Sequence, residues 1–212
     1  MKTVKDWEGV DITDLIEQSA GEAGVDEIAL LALLKAESGL HRKAQRFGLA
    51  TNEFLQRLMW YEHGDNSQGA ELQGLLNDAW PDVGFGFGQQ IVLYHYAGDH
   101  SSTLENVLAV RNDVFTNPAR NIQDAAERLA NAIPRSLDNT ALGGMVVYNA
   151  GSDRRNDPSW MEKWAGNVAS YEQALAWAEG YRDTDAPPTL VEHLDHLWGL
   201  ANEMEALATR VR

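Results

Sequence analysis

The segment Ile28-Ala29-Leu30-Leu31-Ala32-Leu33-Leu34-Lys35-Ala36-Glu37-Ser38-Gly39-Leu40 is apolar on nearly every face up to Lys35, so a helix here must be a core helix. Asp26 stands where an N-cap is needed, and Gly39 supplies the residue that ends such a helix. On that helix Glu37 lies one turn above Leu33 and Leu34, and a further turn above Leu30. A rigid element therefore delivers a carboxyl group to the edge of an apolar surface. Such an edge disfavours the ionised form of a carboxyl, the condition a general acid working near neutral pH needs. A helix-end glutamate reaching into water is the ordinary alternative.

At 212 residues the chain can form one domain with length left for an appendage. A hydrophobic fraction of 44% with seven tryptophans excludes a disordered chain. The chain has no cysteine, which rules out disulfides, thiolate metal sites and a cysteine nucleophile. The start, Met1 to Glu8, lacks the apolar stretch of a signal peptide, and the run Ile28–Leu34 is too short to span a bilayer. A net charge of −15 argues against a nucleic-acid surface and against electrostatic adhesion to an anionic cell surface. A polymer gripped by this protein must be held mainly by hydrogen bonds and stacking.

Along the chain, residues 1–20 are polar with a weakly amphipathic stretch, and residues 21–26 read as a break. Helical segments are expected from Asn52 to Tyr61 and from Gly69 to Trp80, across the polar turn at residues 63–67. Glycines alternate in Gly84-Phe85-Gly86-Phe87-Gly88, which signals tight turning or a close approach of backbone to ligand. Asn117-Pro118 opens a helix whose apolar face is Ile122, Ala125, Ala126, Leu129 and Ile133. A short apolar run, Leu142 to Tyr148, leads into Asn149-Ala150-Gly151, and a Trp-rich helical region with Trp160, Trp164 and Trp177 completes the body. Core packing is the default role of those tryptophans, with sugar stacking as the alternative.

Asp183-Thr184-Asp185-Ala186-Pro187-Pro188 is a linker by composition. Beyond it Leu190, Leu194, Leu197, Ala201, Met204, Ala208 and Val211 form an a/d heptad seam. This C-terminal helix either packs on its own domain or pairs with another copy as a homo-oligomer. The division expected is therefore a body over 1–183 and a linker with amphipathic helix over 184–212.

Four segments occur in order: Ala36-Glu37-Ser38-Gly39-Leu40, Gly86-Phe87-Gly88-Gln89, Asn117-Pro118-Ala119-Arg120-Asn121-Ile122 and Val147-Tyr148-Asn149-Ala150-Gly151. This order resembles the soluble lytic transglycosylase domain, a lysozyme-like fold related to goose-type lysozyme. The family carries its catalytic acid in an E-S-G motif and lines its cleft with G-L-M-Q or G-L-G-Q. A helix of pattern N-I-x-x-G/A-x-x-x-L supports its cleft floor, which Asn121 to Leu129 matches, and A-Y-N-A-G supplies a cleft tyrosine and asparagine. The resemblance covers about residues 20–177 and implies a mainly α, lysozyme-like helical domain. Residues 50–80 would then be an inserted helical lobe, because the stretch from Gly39 to Gly86 is longer than in common members. The family's serine-containing loop has no clear counterpart in Val83-Gly84-Phe85, and Asn167 stands where many members have glutamate.

The resemblance implies a peptidoglycan-degrading enzyme that needs no cofactor or metal. Glu37 would act as acid and then base, forming a 1,6-anhydromuramoyl product. Ser38, Gln89, Gln90, Tyr148, Asn149 and Tyr171 would contact substrate, with the G-x-G-Q frame favouring Gln89 over Gln90. A hydrolase of the goose type would instead use a second carboxylate about 6.5–9.5 Å away, for which Asp82 is the best placed. Asp82 after Pro81 can equally be a turn residue. A non-catalytic, glycan-binding virion protein is the remaining alternative. The site of action would be the bacterial cell wall, whether periplasmic, extracellular or virion-associated. His95, Asp99 and His100 match no zinc spacing, and no G-x-S-x-G elbow occurs.

Overall fold

The structure, a computed structural model, describes residues 1–48, 50–80, 82–94 and 101–182. The heptad segment and the His95–His100 cluster lie outside the described residues. Met1–Arg182 forms one compact unit. Eight α-helices and one small sheet make up the described part, so the protein is mainly α.

The central helix is α2, Glu27–Ser38. Ile28 and Leu30 to Leu34 are all at most 1% exposed, so this helix is enclosed on every side. Burying one leucine side chain this way stabilises by about 1.5–3 kcal/mol. Asp26 is its N-cap, accepting from the Ile28 and Ala29 amides, an arrangement worth about 1 kcal/mol. Gly39 ends the helix at φ 65°, its N–H bonding the Lys35 carbonyl. The next residue, Leu40, also has a positive φ of 68° and is buried, so the chain leaves Glu37 through two consecutive left-handed residues.

Around α2 pack α1 (Thr13–Ala23), α6 (Pro118–Ala132), α7 (Ala141–Ala150) and α8 (Pro158–Glu179). Together they bury one core cluster that includes Ile16, Phe87, Ile122, Leu129, Met145 and Tyr171. The break expected at residues 21–26 is shorter than the sequence implied. Helix α1 runs through Gly21 to Ala23, and Gly24 at φ 71° stops it. The N-terminal stretch, polar by composition, is nonetheless anchored. Val4 is fully buried, and the buried Asp6 carboxylate accepts from the Glu8 and Val10 amides and from Arg42.

A second core cluster contains Phe47, Phe54, Leu58, Leu72, Leu76 and Val107. It is built by α3 (Thr51–Glu62), α4 (Gln68–Ala79), α5 (Leu104–Thr116) and the sheet. The paired helices of the 50–80 segment are where periodicity placed them, within two residues at each end. The stretch after Gly39, read as loop, instead contains β1 (Gln45–Phe47). It pairs antiparallel with β2 (Val83–Phe85), which pairs antiparallel with β3 (Gln90–Ile91). Strands of two or three residues are too short to produce a readable alternation.

The β2–β3 turn joins the two clusters. Phe85 is buried in the second and Phe87 in the first. Gly86 sits between them at φ 75°, and a Cβ there would lie 2.5 Å from Val114 and 2.6 Å from the Asn121 side-chain oxygen. A Cβ on Gly88 would lie 2.8 Å from the Ala125 Cβ and 3.0 Å from the Tyr148 hydroxyl. The alternating glycines therefore mark a tight turn whose backbone is pressed against α6 and α7, so the neighbours that crowd Gly86 and Gly88 are the protein's own side chains. Among the described residues no helix is long and apolar enough to cross a membrane.

Candidate active site

Glu37 occupies the last turn of α2, half-buried, over the fully buried Leu33 and Leu34. Two other elements converge on its carboxylate. Tyr171, from the middle of α8, donates its hydroxyl to Glu37 Oε1 at 2.7 Å. Asn149, from the last turn of α7, donates its amide to the same oxygen at 3.4 Å. Among the described residues, both hydrogen bonds to the Glu37 carboxylate go to Oε1 and none to Oε2. Burial first, and then the negative charge of Glu37, push the Tyr171 pKa above the ordinary phenol value, so this hydroxyl keeps its proton and donates throughout the neutral range.

Tyr148 turns its hydroxyl the other way, donating to the Gly88 carbonyl at 2.6 Å. Burial raises its pKa too, against the lowering effect of Arg128. The Arg128 guanidinium lies over the Tyr148 ring, 4.5 Å from its centre. Tyr148 thus fastens the glycine-rich turn to α7 and carries a cation on its face. Gln89 follows that turn with φ 46° and folds its amide back onto the Gly86 carbonyl at 3.1 Å. A non-glycine residue held in the left-handed region beside a candidate site is strain that the surrounding packing must enforce.

A small recess is lined by Glu37, Gln89, Tyr148 and Asn149 together with Arg46, Ile91 and Arg128. It shares four of these residues with a larger groove of about 550 Å³, whose walls also include Asp82, Tyr94, Asn131 and Arg135. Glu37 therefore lies in a recess that adjoins an open groove of a size suited to a ligand.

Of the residues singled out in the sequence, Glu37, Gln89, Tyr148, Asn149 and Tyr171 come together. Gln90 does not: it is 1% exposed, and its side-chain oxygen accepts from the buried Asn121 at 3.4 Å. Asn121 also accepts from the Gly88 amide, so the start of α6 supports the turn from below. Ser38 bonds its hydroxyl to the Leu34 carbonyl at 2.9 Å, within its own helix. Asp82 stands on the groove rim, exposed and paired with Arg46 at 2.8 Å. Trp160 and Trp177 pack partly buried against the first core cluster, Trp160 stacked on Trp164 and Trp177 under the Lys35 ammonium.

Arg46, Arg128 and Arg135 are functional candidates that the motif reading missed. Arg128 lies inside the Asn121–Leu129 pattern that reads as a supporting helix, and only the three-dimensional neighbour Tyr148 turns it toward the groove. Among the described residues no cluster of histidine and acidic side chains is arranged to hold a metal ion. No family model matches this chain, and neither a curated protein nor a solved structure is significantly similar to it.

Proposed function

We propose that the protein is a lytic transglycosylase with a lysozyme-like helical body, cleaving the β-1,4 bond between N-acetylmuramic acid and N-acetylglucosamine in peptidoglycan. The observation that carries this reading is the carboxyl of Glu37, held on one oxygen by Tyr171 and Asn149 and lining a recess that shares four residues with the groove. These three residues come from three helices; Glu37 and Asn149 belong to the motifs that resemble the family, and Tyr171 stands on the helix that follows them.

In this reading Glu37 Oε2 gives its proton to the bridging oxygen as the C1–O bond breaks, and the N-acetyl group stabilises the resulting cation. The sugar's own 6-hydroxyl then attacks C1 and returns its proton to Glu37. The product is a 1,6-anhydromuramoyl end, water is not consumed, and the glutamate is restored. Tyr171 and Asn149 position the carboxyl by fixing Oε1. No metal or cofactor takes part in this scheme, and the site of action is the bacterial cell wall.

Hydrolysis would need a second carboxylate to activate water. Asp82 is engaged by Arg46 on the rim, which favours the intramolecular route. Mass spectrometry of digested, purified peptidoglycan separates the outcomes. Anhydro-ended fragments are expected, each lighter by one water than its reducing-end counterpart. Reducing ends alone would establish a hydrolase, and an undigested wall that still retains the protein would leave a glycan-binding role.

Tyr171→Phe is expected to lower kcat about 10- to 100-fold with KM little changed, the effect of losing one hydrogen bond to a charged group. Steady-state kinetics on soluble glycan strands would read this split. A proportionate rise in KM with kcat intact would place Tyr171 in substrate binding instead.

A further inference from the structure

The chain has 32 acidic against 17 basic residues, and most arginines outside the groove are held by carboxylates. In the groove and the adjoining recess the pattern reverses. Arg46 is neutralised by Asp82, but Arg128 and Arg135 have no carboxylate within ion-pair distance among the described residues. The two are seven residues apart, Arg128 in α6 and Arg135 in the 3-10 turn Ile133–Arg135 that follows it, with Asn131 and Ala132 between them on the same groove wall. Arg135 is exposed and donates to the Gly151 carbonyl at 3.1 Å.

Arg128 is half-buried, and its Nη1 is buried without any hydrogen-bond acceptor. Contact with the Tyr148 ring is a weak substitute for a counter-ion. A partly desolvated cation without an anion is costly, and that cost is relieved when an anion arrives. Guanidinium groups favour carboxylates, because their planar donors match two oxygens at once. The position is decisive as well: the same Arg128 lines both the groove and the recess of Glu37, so an anion bound there is anchored next to the bond under attack.

We propose that Arg128, assisted by Arg135, binds a carboxylate carried by the glycan itself, so that the groove selects acidic amino-sugar strands over neutral ones. This rests on the glycan-cleaving reading and gives it a substrate preference. The carboxylate comes either from the lactyl ether of the muramic acid residue or from its stem peptide.

Binding is measured with Glu37→Gln protein, which removes turnover, on three ligands: peptide-bearing strands, peptide-free strands with a free lactyl carboxylate, and peptide-free strands whose carboxylates are converted to methylamides. The protein with native Arg128 is expected to bind the amidated strands about 10- to 30-fold more weakly than the acidic ones. Adding Arg128→Gln should weaken acidic-strand binding by a similar factor and leave amidated-strand binding unchanged. Arg135→Gln, at an exposed position, should give a smaller loss of about 3-fold on acidic strands only, without disturbing the Tyr148 contact. Tighter binding of peptide-free strands assigns the lactyl group, and tighter binding of peptide-bearing strands assigns the stem. Equal binding of acidic and amidated strands by the native groove overturns this inference alone. Failure to bind any strand, with the native chain also failing to cut them, overturns the glycan-cleaving reading and this inference with it.

Discussion

Glu37→Gln is expected to reduce kcat on purified peptidoglycan by about 10²–10⁴-fold, the range spanned by positioned general acid–base groups. The substitution keeps the side-chain volume and an oxygen able to accept from Tyr171, while removing the ionisable proton donor. Thermal unfolding should change little, because Glu37 is half-buried at the end of α2 and the helix core beneath it is untouched. Binding of glycan strands should persist, since the groove walls are contributed mainly by α6, α7 and β3. A variant that is fully folded and retains wild-type turnover would remove Glu37 from the chemistry. Turbidity clearance together with fragment analysis provides the measurement.

Gly86→Ala is expected to destabilise the fold by about 2–5 kcal/mol. Two costs add: a left-handed conformation imposed on an alanine, about 1–2 kcal/mol, and overpacking against neighbours that cannot retreat, about 1–3 kcal/mol. The neighbours are specific. A methyl group at this position would press on Val114, in the second core cluster, and on Asn121, which holds the Gly88 amide. Denaturant unfolding should report a lowered midpoint at an unchanged slope if the native state keeps its packing. Activity at a temperature where the variant is still folded should also fall, because displacing Asn121 loosens the turn that carries Gln89. An unaltered midpoint would mean that the turn yields freely and that its glycines are dispensable.

The helical elements were legible because long apolar periodicities and caps agree with one another. Asp26 and Gly39 bracket α2, and Asn117-Pro118 opens α6, each where capping chemistry places it. Helix α5 had no expectation attached to it, and β1 was hidden in what read as loop. A three-residue strand carries no period of its own, and it exists because β2 offers it a partner from across the chain. The glutamate, Tyr148, Gln89 and Asn149 were reachable from short motifs in a fixed order, whereas Tyr171 lies beyond the last of them. The arginines were not, since a cation on a polar helix face looks solvated until the partner that turns it inward is known. Gln90 and Ser38 drew attention through adjacency in sequence to Gln89 and Glu37, and the bonds they make run to the scaffold: Gln90 Oε1 accepts from Asn121 and the Ser38 hydroxyl donates to the Leu34 carbonyl.

Phe85 and Phe87 serve different cores while only one residue separates them. Adding or deleting a single amino acid in this turn would aim one aromatic ring at the wrong compartment and leave a void in the other. The polar bend at His63–Ser67 carries no such double duty, and its side chains are exposed. Length variation should therefore be tolerated at the bend and rejected at the turn, which makes the bend the place to graft a tag or a second module and the turn the place to leave alone.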